Sequence, residues 1–546
     1  MSSKLLRGTF ILTIGTILSK VLGLFYVIPF YQIVGTKGTL LYNYSYVPYT
    51  IFISIATAGV PLAVSKFISK YNSLEEYAVG RKLFKSGLVV MMTTGLAAFL
   101  IMYLTSPMLA EMSIGKKHSF NVEQVTTVMR AVSFALIVVP FMSLIRGYFQ
   151  GHQSMGPSAV SQVVEQIIRV LFTLIGAYVV LHTLHGNMVN AVSVATFAAF
   201  IGAIGSLAVL LWYWYKRKPH LDELLEQDKG TINISLPQIY KEILLYAAPF
   251  VFVGIANPLF QFIDQFTFSR AMSEIVSGKM ADTAFSILNF QSQKIVIIPV
   301  SLATAFSLTL VPSITKAFVE NDQKSMNYQI NQAFQVLLYL TLPAAIGISL
   351  LAEPIYTVFY EHDPLGIEVL RVYAPVAILF SLYSVTAAIM QGINEQRYTI
   401  LSLLVGLLIK LSLNIPLIKV MQTNGAILAT TLGYSASIII NLIIIKKYSG
   451  YQYRLVFRRC LLIVIFAGFM WVGTEVTYMI LRLFLSPQSK FQSLIMILIC
   501  AIVGSGIYFY LGFKTRFIYR LFGERVNNVV KKLKIPLKFL PKGERG

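Results

Sequence analysis

The 546-residue sequence predicts an all-α polytopic membrane protein of about 14 transmembrane helices, and three observations carry that prediction. The chain is 56% hydrophobic and 12% charged, with a mean hydropathy of +0.70, more apolar surface than one water-soluble core can hide. Runs of roughly 20 apolar residues, the length that crosses about 30 Å of hydrocarbon, recur along the whole sequence. Its lysines and arginines are distributed asymmetrically between alternate connections, as in a multi-pass protein.

Taken in order, the runs place spans at 9–34, 46–65, 84–105, 131–149, 157–181, 189–215, 243–268, 286–311, 333–352, 370–390, 398–418, 425–445, 460–484 and 491–513. Lys4 and Arg7 precede the first run as they would in a signal peptide. The run is too long for such a segment and has no small-residue cleavage site, so it is expected to stay as a helix. With residues in the terminal turn of a span counted with the connection they adjoin, the N-terminus, the even-to-odd connections and the tail hold 31 of the 45 Lys and Arg residues, against 10 on the other side and four deeper within spans. Both termini are therefore expected in the cytoplasm.

The net charge of +22 follows that topology and suits anionic lipid headgroups, so it does not call for nucleic acid. Cys460 and Cys500 fall inside spans and imply neither a disulfide framework nor a zinc site; His182 and His185 share a short loop and read as solvated. No GxxxxGK[ST], GxSxG or HExxH motif occurs, and no long soluble insertion interrupts the spans. An enzyme is the less favoured class and no cofactor is expected. Any work would draw on Na+, H+, the membrane potential or a substrate gradient.

Two pairs of segments echo one another. FQGHQSMGPSAVSQVVEQIIRV (Phe149 to Val170) aligns with MQGINEQRYTILSLLVGLLIKL (Met390 to Leu411), matching Gln150-Gly151 to Gln391-Gly392 and Arg169 to Lys410. GVPLAVSKF (Gly59 to Phe67) resembles TLVPSITKAF (Thr309 to Phe318). Similar offsets suggest two six-span repeats in the same orientation. The expected organisation is an N-lobe over 1–220, a cytoplasmic linker over 221–240, a C-lobe over 241–450, two appended spans over 451–513 and a basic tail over 514–546.

Charges inside spans are costly unless paired or hydrated, so they mark candidate sites. Seven stand out: Lys20, Glu165, Arg169, Asp264, Lys294, Lys410 and Glu475. Glu165 and Arg169 stand one turn apart and are expected to pair within their helix. Lys20 and Lys294 have no opposite charge within helical reach; they suit a hydrated cationic chamber for an anion, with snorkelling to an interface or pairing with an acid on another helix as the alternative. Asp264 and Lys410 satisfy each other if their helices adjoin, with Asn414 adding an amide oxygen; a cation site at Asp264 is the sharper alternative. Glu475 has no assignment. Interior prolines such as Pro140, Pro299 and Pro416 allow kinks that an alternating-access bundle can use.

RGYFQGHQSMGPSAVSQVVEQIIRV (Arg146 to Val170), SKVLGLFYVIPF (Ser19 to Phe30) and GVPLAVSKF resemble the polysaccharide-transport branch of the multidrug/oligosaccharidyl-lipid/polysaccharide exporter superfamily. Within it the sequence is most similar to MurJ-type lipid II flippases, near the SpoVB-type sporulation proteins. The resemblance implies translocation of an undecaprenyl-diphosphate-linked peptidoglycan precursor from inner to outer leaflet. It implies that Lys20, in the SKVLG motif, and Lys294, five residues before Pro299, contact the diphosphate in place of arginines. A later helix 1 arginine of Gram-negative members falls on Tyr26, and their helix 2 arginines fall near Phe52 and Ile53. Arg146 and Lys66, in the resembling segments, join Glu165 and Arg169 as candidates for lining or gating the path. Spans 13 and 14 are expected to form a groove for the polyprenyl tail. Some relatives hold sodium beside the acid matched by Asp264, and Lys410 is expected to replace that ion. The implied partners are a lipid-linked anionic glycan, anionic lipids and cell-wall synthesis proteins, with the chain a monomer. Flippases for another undecaprenyl-linked glycan, and more remotely multidrug extruders, are the alternative readings.

Overall fold

In the computed structural model of the protein, residues 12, 15–16, 18–57, 59–114, 119–231 and 235–522 are described; Lys4, Arg7 and the basic tail from 523 onward lie outside the described residues. Among the described residues there is no strand. Eleven helices are long and apolar enough to cross a membrane, and two further long helices span Leu236–Met272 and Gln293–Val319. The chain divides into two compact units: residues 1–290 with 407–430, and residues 291–406 with 431–546.

The first unit opens on a helix over Leu18–Thr57 that folds on itself. Gly35 has φ 62° and ψ −169°, outside the helical region. The rings of Phe30 and Tyr42 stand 5.4 Å apart and the hydroxyls of Tyr26 and Tyr42 3.4 Å apart. A straight helix, rising 1.5 Å per residue, would separate residues 26 and 42 by about 24 Å. The chain therefore reverses at Gly35, where a residue without Cβ takes the left-handed φ at little cost, and the legs 18–34 (α1) and 36–57 (α2) pack side by side. The second span thus begins ten residues before the expected 46 and ends at Thr57; Gly59, at φ 77°, starts a separate helix α3, Val60–Ser73. Hydropathy misses this start because Thr39 and Ser45 look polar. In the fold their hydroxyls donate to the carbonyls of Gly35, Thr36 and Leu41, which masks them.

The unit continues with α4 (Tyr77–Ser113), α5 (Val122–Ser133), α6 (Ala135–Gly151), α7 (Met155–Tyr178), α8 (Met188–Glu226), α9 (Leu236–Met272) and α10 (Gly278–Ser286). An apolar cluster of Ala63, Val64, Phe67 and Ile68 with Leu83, Phe84, Ile145, Tyr148 and Phe149 ties α3, α4 and α6 together. The second unit contains α11 (Gln293–Val319), α12 (Gln323–Leu350), α13 (Ala352–Phe359), α14 (Pro364–Tyr373), α15 (Val376–Gly392), most of α17 (Thr423–Ser449), α18 (Arg454–Arg482), α19 (Lys490–Lys514) and α20 (Phe517–Phe522). Helix α16, Arg397–Met421, contributes its start to the second unit and residues 407 onward to the first. The eighth span was expected at 286–311; α10 carries helix back to Gly278.

The echoing segments meet in the same way in each unit. Gly151 ends α6, Gln153 follows at φ 56°, and a Cβ on Gly151 would lie 2.7 Å from Ile68 Cβ. Gly392 ends α15, Asn394 follows at φ 62°, and a Cβ there would lie 2.6 Å from Ile314 Cγ2. In both places a glycine lets one helix end sit against the Val-Pro helix that resembles its counterpart. The two helices ending in Gln-Gly are each preceded by a short helix, α5 broken at Phe134 and α14 broken before Pro375.

Candidate functional site: charged groups inside the helices

Each charge predicted inside a span has a definite setting, and one pairing differs from expectation. Glu165 on α7 does not neutralise Arg169; its Oε2 accepts from Arg146 Nη2 at 2.7 Å, across from α6. Arg146 is otherwise held by Ser161 Oγ, accepting from Nε at 2.9 Å, and by Ser206 Oγ, accepting from Nη2 at 2.7 Å. Three helices thus converge on one guanidinium, and the planar fork of arginine suits such convergence. The i,i+4 spacing of Glu165 and Arg169 allowed a pair, but the acceptors Ser161 on α7 and Ser206 on α8 fix the Arg146 guanidinium and make it the better partner. Arg169 instead donates to the Tyr46 hydroxyl and lies over that ring, 5.4 Å from its centroid. Tyr42, Tyr26 and Tyr49 are its other electrostatic neighbours.

Deep in the first unit, Lys410 and Asp264 meet. Lys410 Nζ lies 2.8 Å from Asp264 Oδ1 and 2.9 Å from Oδ2, and also donates to Thr430 Oγ1 at 2.5 Å. Lys410 is completely buried, so its ion pair and hydrogen bonds must answer the desolvation cost together. Asn414 joins the cluster with its amide nitrogen, donating to Asp264 Oδ1 at 3.0 Å and to Thr267 Oγ1 at 2.6 Å, rather than with the amide oxygen expected from sequence. A sodium ion does not fit this donor set. The one carboxylate is already capped by an ammonium on both oxygens, and Asn414 presents N–H toward it.

A second buried acid escaped the sequence reading. Asp282, on α10, accepts from the backbone N–H of Ser119 at 2.7 Å and from the Tyr44 hydroxyl at 3.3 Å; Gln265 Nε2 in turn donates to the Tyr44 carbonyl at 2.8 Å and to Ser113 Oγ at 2.6 Å. The only signal was a helix beginning earlier than its hydropathy, which left Asp282 in a presumed loop. Lys20 stands exposed on α1, and Lys66 exposed on α3.

In the second unit, Lys294 is half-buried on α11 beside two glutamines held by tyrosines: Tyr356 donates to Gln291, Tyr360 to the Gln291 carbonyl at 3.0 Å, and Tyr373 to Gln293. Glu475 lines a cavity of about 610 Å³ with Glu353, Arg371 and Arg482 and the apolar Val464, Ala467 and Trp471. Within it Glu353 accepts from Tyr478 at 2.8 Å and lies 3.7 Å from Arg482. Among the described residues no group of three or more His, Cys, Asp or Glu could hold a metal ion, and Cys460 and Cys500 are free thiols.

The family model described as "Polysaccharide biosynthesis protein" matches residues 5–318. The lipid II flippase MurJ of Bacillus subtilis (strain 168) is 48% identical over 97% of this chain and 99% of its own. Among solved structures, one of lipid II flippase MurJ in an inward closed conformation superposes with a TM-score of 0.64 at 16% identity, covering 94% of this chain and 99% of that one. An inward-facing multidrug resistance MATE family transporter gives a TM-score of 0.62 at 15% identity, covering 79% of this chain and 94% of that one. The likeness to the flippase fold thus extends over more of the chain than the likeness to the extruder. The chain belongs to the polysaccharide biosynthesis protein family and, within it, to the MurJ lipid II flippases.

Proposed function

We propose that the protein is a lipid II flippase, a transporter and not an enzyme, moving the undecaprenyl-diphosphate-linked peptidoglycan precursor from the inner to the outer leaflet by alternating access. The observation that carries this is the 48% identity to the Bacillus subtilis flippase over nearly both full chains. The helices supply the chemistry such a substrate needs. A diphosphate is an anion that must leave water, and lysines inside spans lower that cost. In this reading Lys20 and Lys294 contact the diphosphate, and Arg146 with Glu165 holds α6, α7 and α8 in register beside the path.

The topology that accompanies the reading is fourteen crossings with both termini in the cytoplasm of a bacterial cell and a monomeric chain. Spans 13 and 14 take the polyprenyl tail. In this reading the Lys410 ammonium, paired with Asp264, replaces a coupling cation, so transport does not require sodium and draws on H+, the membrane potential or the substrate gradient.

Depletion in growing cells tests the substrate. The precursor carrying the peptidoglycan disaccharide-peptide is expected to accumulate in the inner leaflet. Accumulation of a teichoic-acid or capsule precursor instead, with the peptidoglycan precursor unaffected, overturns the assignment in favour of another undecaprenyl-linked glycan.

A further inference from the structure

We infer that Arg169, in its cage of tyrosines, is a second anion subsite that takes a carboxylate of the peptide carried by the lipid-linked precursor; this rests on the function proposed above. Helix α1 and helix α7 run side by side, with Gly15 against Ala159, Ser19 Oγ donating to the Gln162 carbonyl, and Gly23 against Gln166. The Ser19–Gln162 separation of 143 residues, carried along both helices, sets Tyr26 level with Arg169, and Tyr26 is indeed among the groups that feel the guanidinium. Lys20 lies six residues back along α1, about 9 Å at 1.5 Å per residue.

Charge accounting then isolates Arg169. The acid one turn away, Glu165, is committed to Arg146. The neighbours of Arg169 are phenols: Tyr46 accepts one hydrogen bond and covers one face, with Tyr26, Tyr42 and Tyr49 around it. A guanidinium has five N–H donors, and no carboxylate among the described residues pairs with these. A half-buried arginine without a counter-charge inside a membrane protein is stabilised by an anion. Its planar fork fits a carboxylate through two parallel hydrogen bonds. With the diphosphate at Lys20, the next acidic groups on a peptidoglycan precursor are the carboxylates of its peptide, and Arg169 stands about 9 Å further along the same helix pair. Tyr46, through its hydroxyl and ring face, fixes the guanidinium plane, and the buried rings of Tyr42 and Tyr49 pack against Tyr46.

The test compares three lipids bound to the purified full-length protein: undecaprenyl diphosphate, the complete precursor, and the complete precursor with its peptide carboxylates converted to amides. Charge-assisted hydrogen bonds predict that wild type binds the complete precursor about tenfold more tightly than the amidated one. Arg169→Gln is expected to remove that difference while leaving undecaprenyl diphosphate binding unchanged, and Arg169→Lys to restore part of it. Equal wild-type affinity for the complete and amidated lipids overturns the subsite without any variant having to fold. So does an Arg169→Gln variant that loses undecaprenyl diphosphate as well. Failure of wild type to bind any undecaprenyl lipid is a different result: it defeats the flippase reading itself, and the subsite with it.

Discussion

Removing the Lys410 ammonium should turn this protein into one that needs a cation. In the structure Asp264 receives Nζ on both oxygens, at 2.8 and 2.9 Å, and one N–H from Asn414 at 3.0 Å. Lys410 is completely buried and the Asp264 side chain only 6% exposed, so water cannot take over. Breaking such a pair from one side strands a charge and costs about 3–5 kcal/mol. Lys410→Gln is therefore expected to unfold at a markedly lower temperature than wild type in detergent. Sodium should restore part of the loss, because Asp264 and the new amide oxygen then form a hard-cation site. The double variant Asp264→Asn/Lys410→Gln, with no stranded charge, is expected to lie closer to wild type and to ignore sodium. The assay is thermal unfolding in sodium against choline chloride at equal ionic strength. A wild type stabilised by sodium, or a Lys410→Gln variant as stable as wild type in choline, would refute the reasoning.

Three other predictions follow from the packing and the ion pairs. Gly151→Val and Gly392→Val each place atoms within 2.7 Å of an isoleucine side chain and should destabilise by about 1–3 kcal/mol, read as lower unfolding temperatures, whereas Gly156→Ala, which meets nothing within 4 Å, should be near neutral on packing grounds. Arg146→Met leaves Glu165 without its counter-charge and is expected to cost about 2 kcal/mol, less than a fully buried break because Glu165 is 21% exposed; Arg146→Met/Glu165→Met should recover much of it in a double-variant cycle. His152, just past the end of α6 and 4.4 Å from the Tyr148 ring, has its pKa lowered from the ordinary 6.5, chiefly by burial and against the raising effect of the Tyr148 carbonyl. The unfolded chain then binds the proton first, so stability should fall as pH drops below about 6.5, and His152→Phe should flatten that part of the profile of unfolding temperature against pH.

Much of this could be read before any coordinates. Composition and run length give a helical membrane protein because lipid is the only solvent that tolerates so much apolar surface. Asp264 and Lys410 could be matched across 146 residues of sequence because neither is affordable alone in a membrane. What stayed hidden depends on contacts that sequence spacing does not carry. Glu165 has an arginine one turn away on its own helix, yet its partner comes from α6, brought close by the turn after Gly151. The start of the second span was masked by hydroxyls that spend their hydrogen bonds on their own helix, and the contacts of Tyr42 with Phe30 and Tyr26 reveal the reversal at Gly35. Asp282 went unnoticed for a related reason: polar residues around it hid the beginning of its helix.

The central claim is tested most directly in sealed vesicles containing the purified protein and the peptidoglycan lipid precursor on one leaflet. Exposure of the disaccharide-peptide on the opposite leaflet, followed with a membrane-impermeant enzyme or label, is expected to depend on the protein, to proceed in choline as well as in sodium, and to collapse in the Lys20→Ala/Lys294→Ala variant. A rate no greater than that of protein-free vesicles, or a rate untouched by loss of both lysines, would contradict the account.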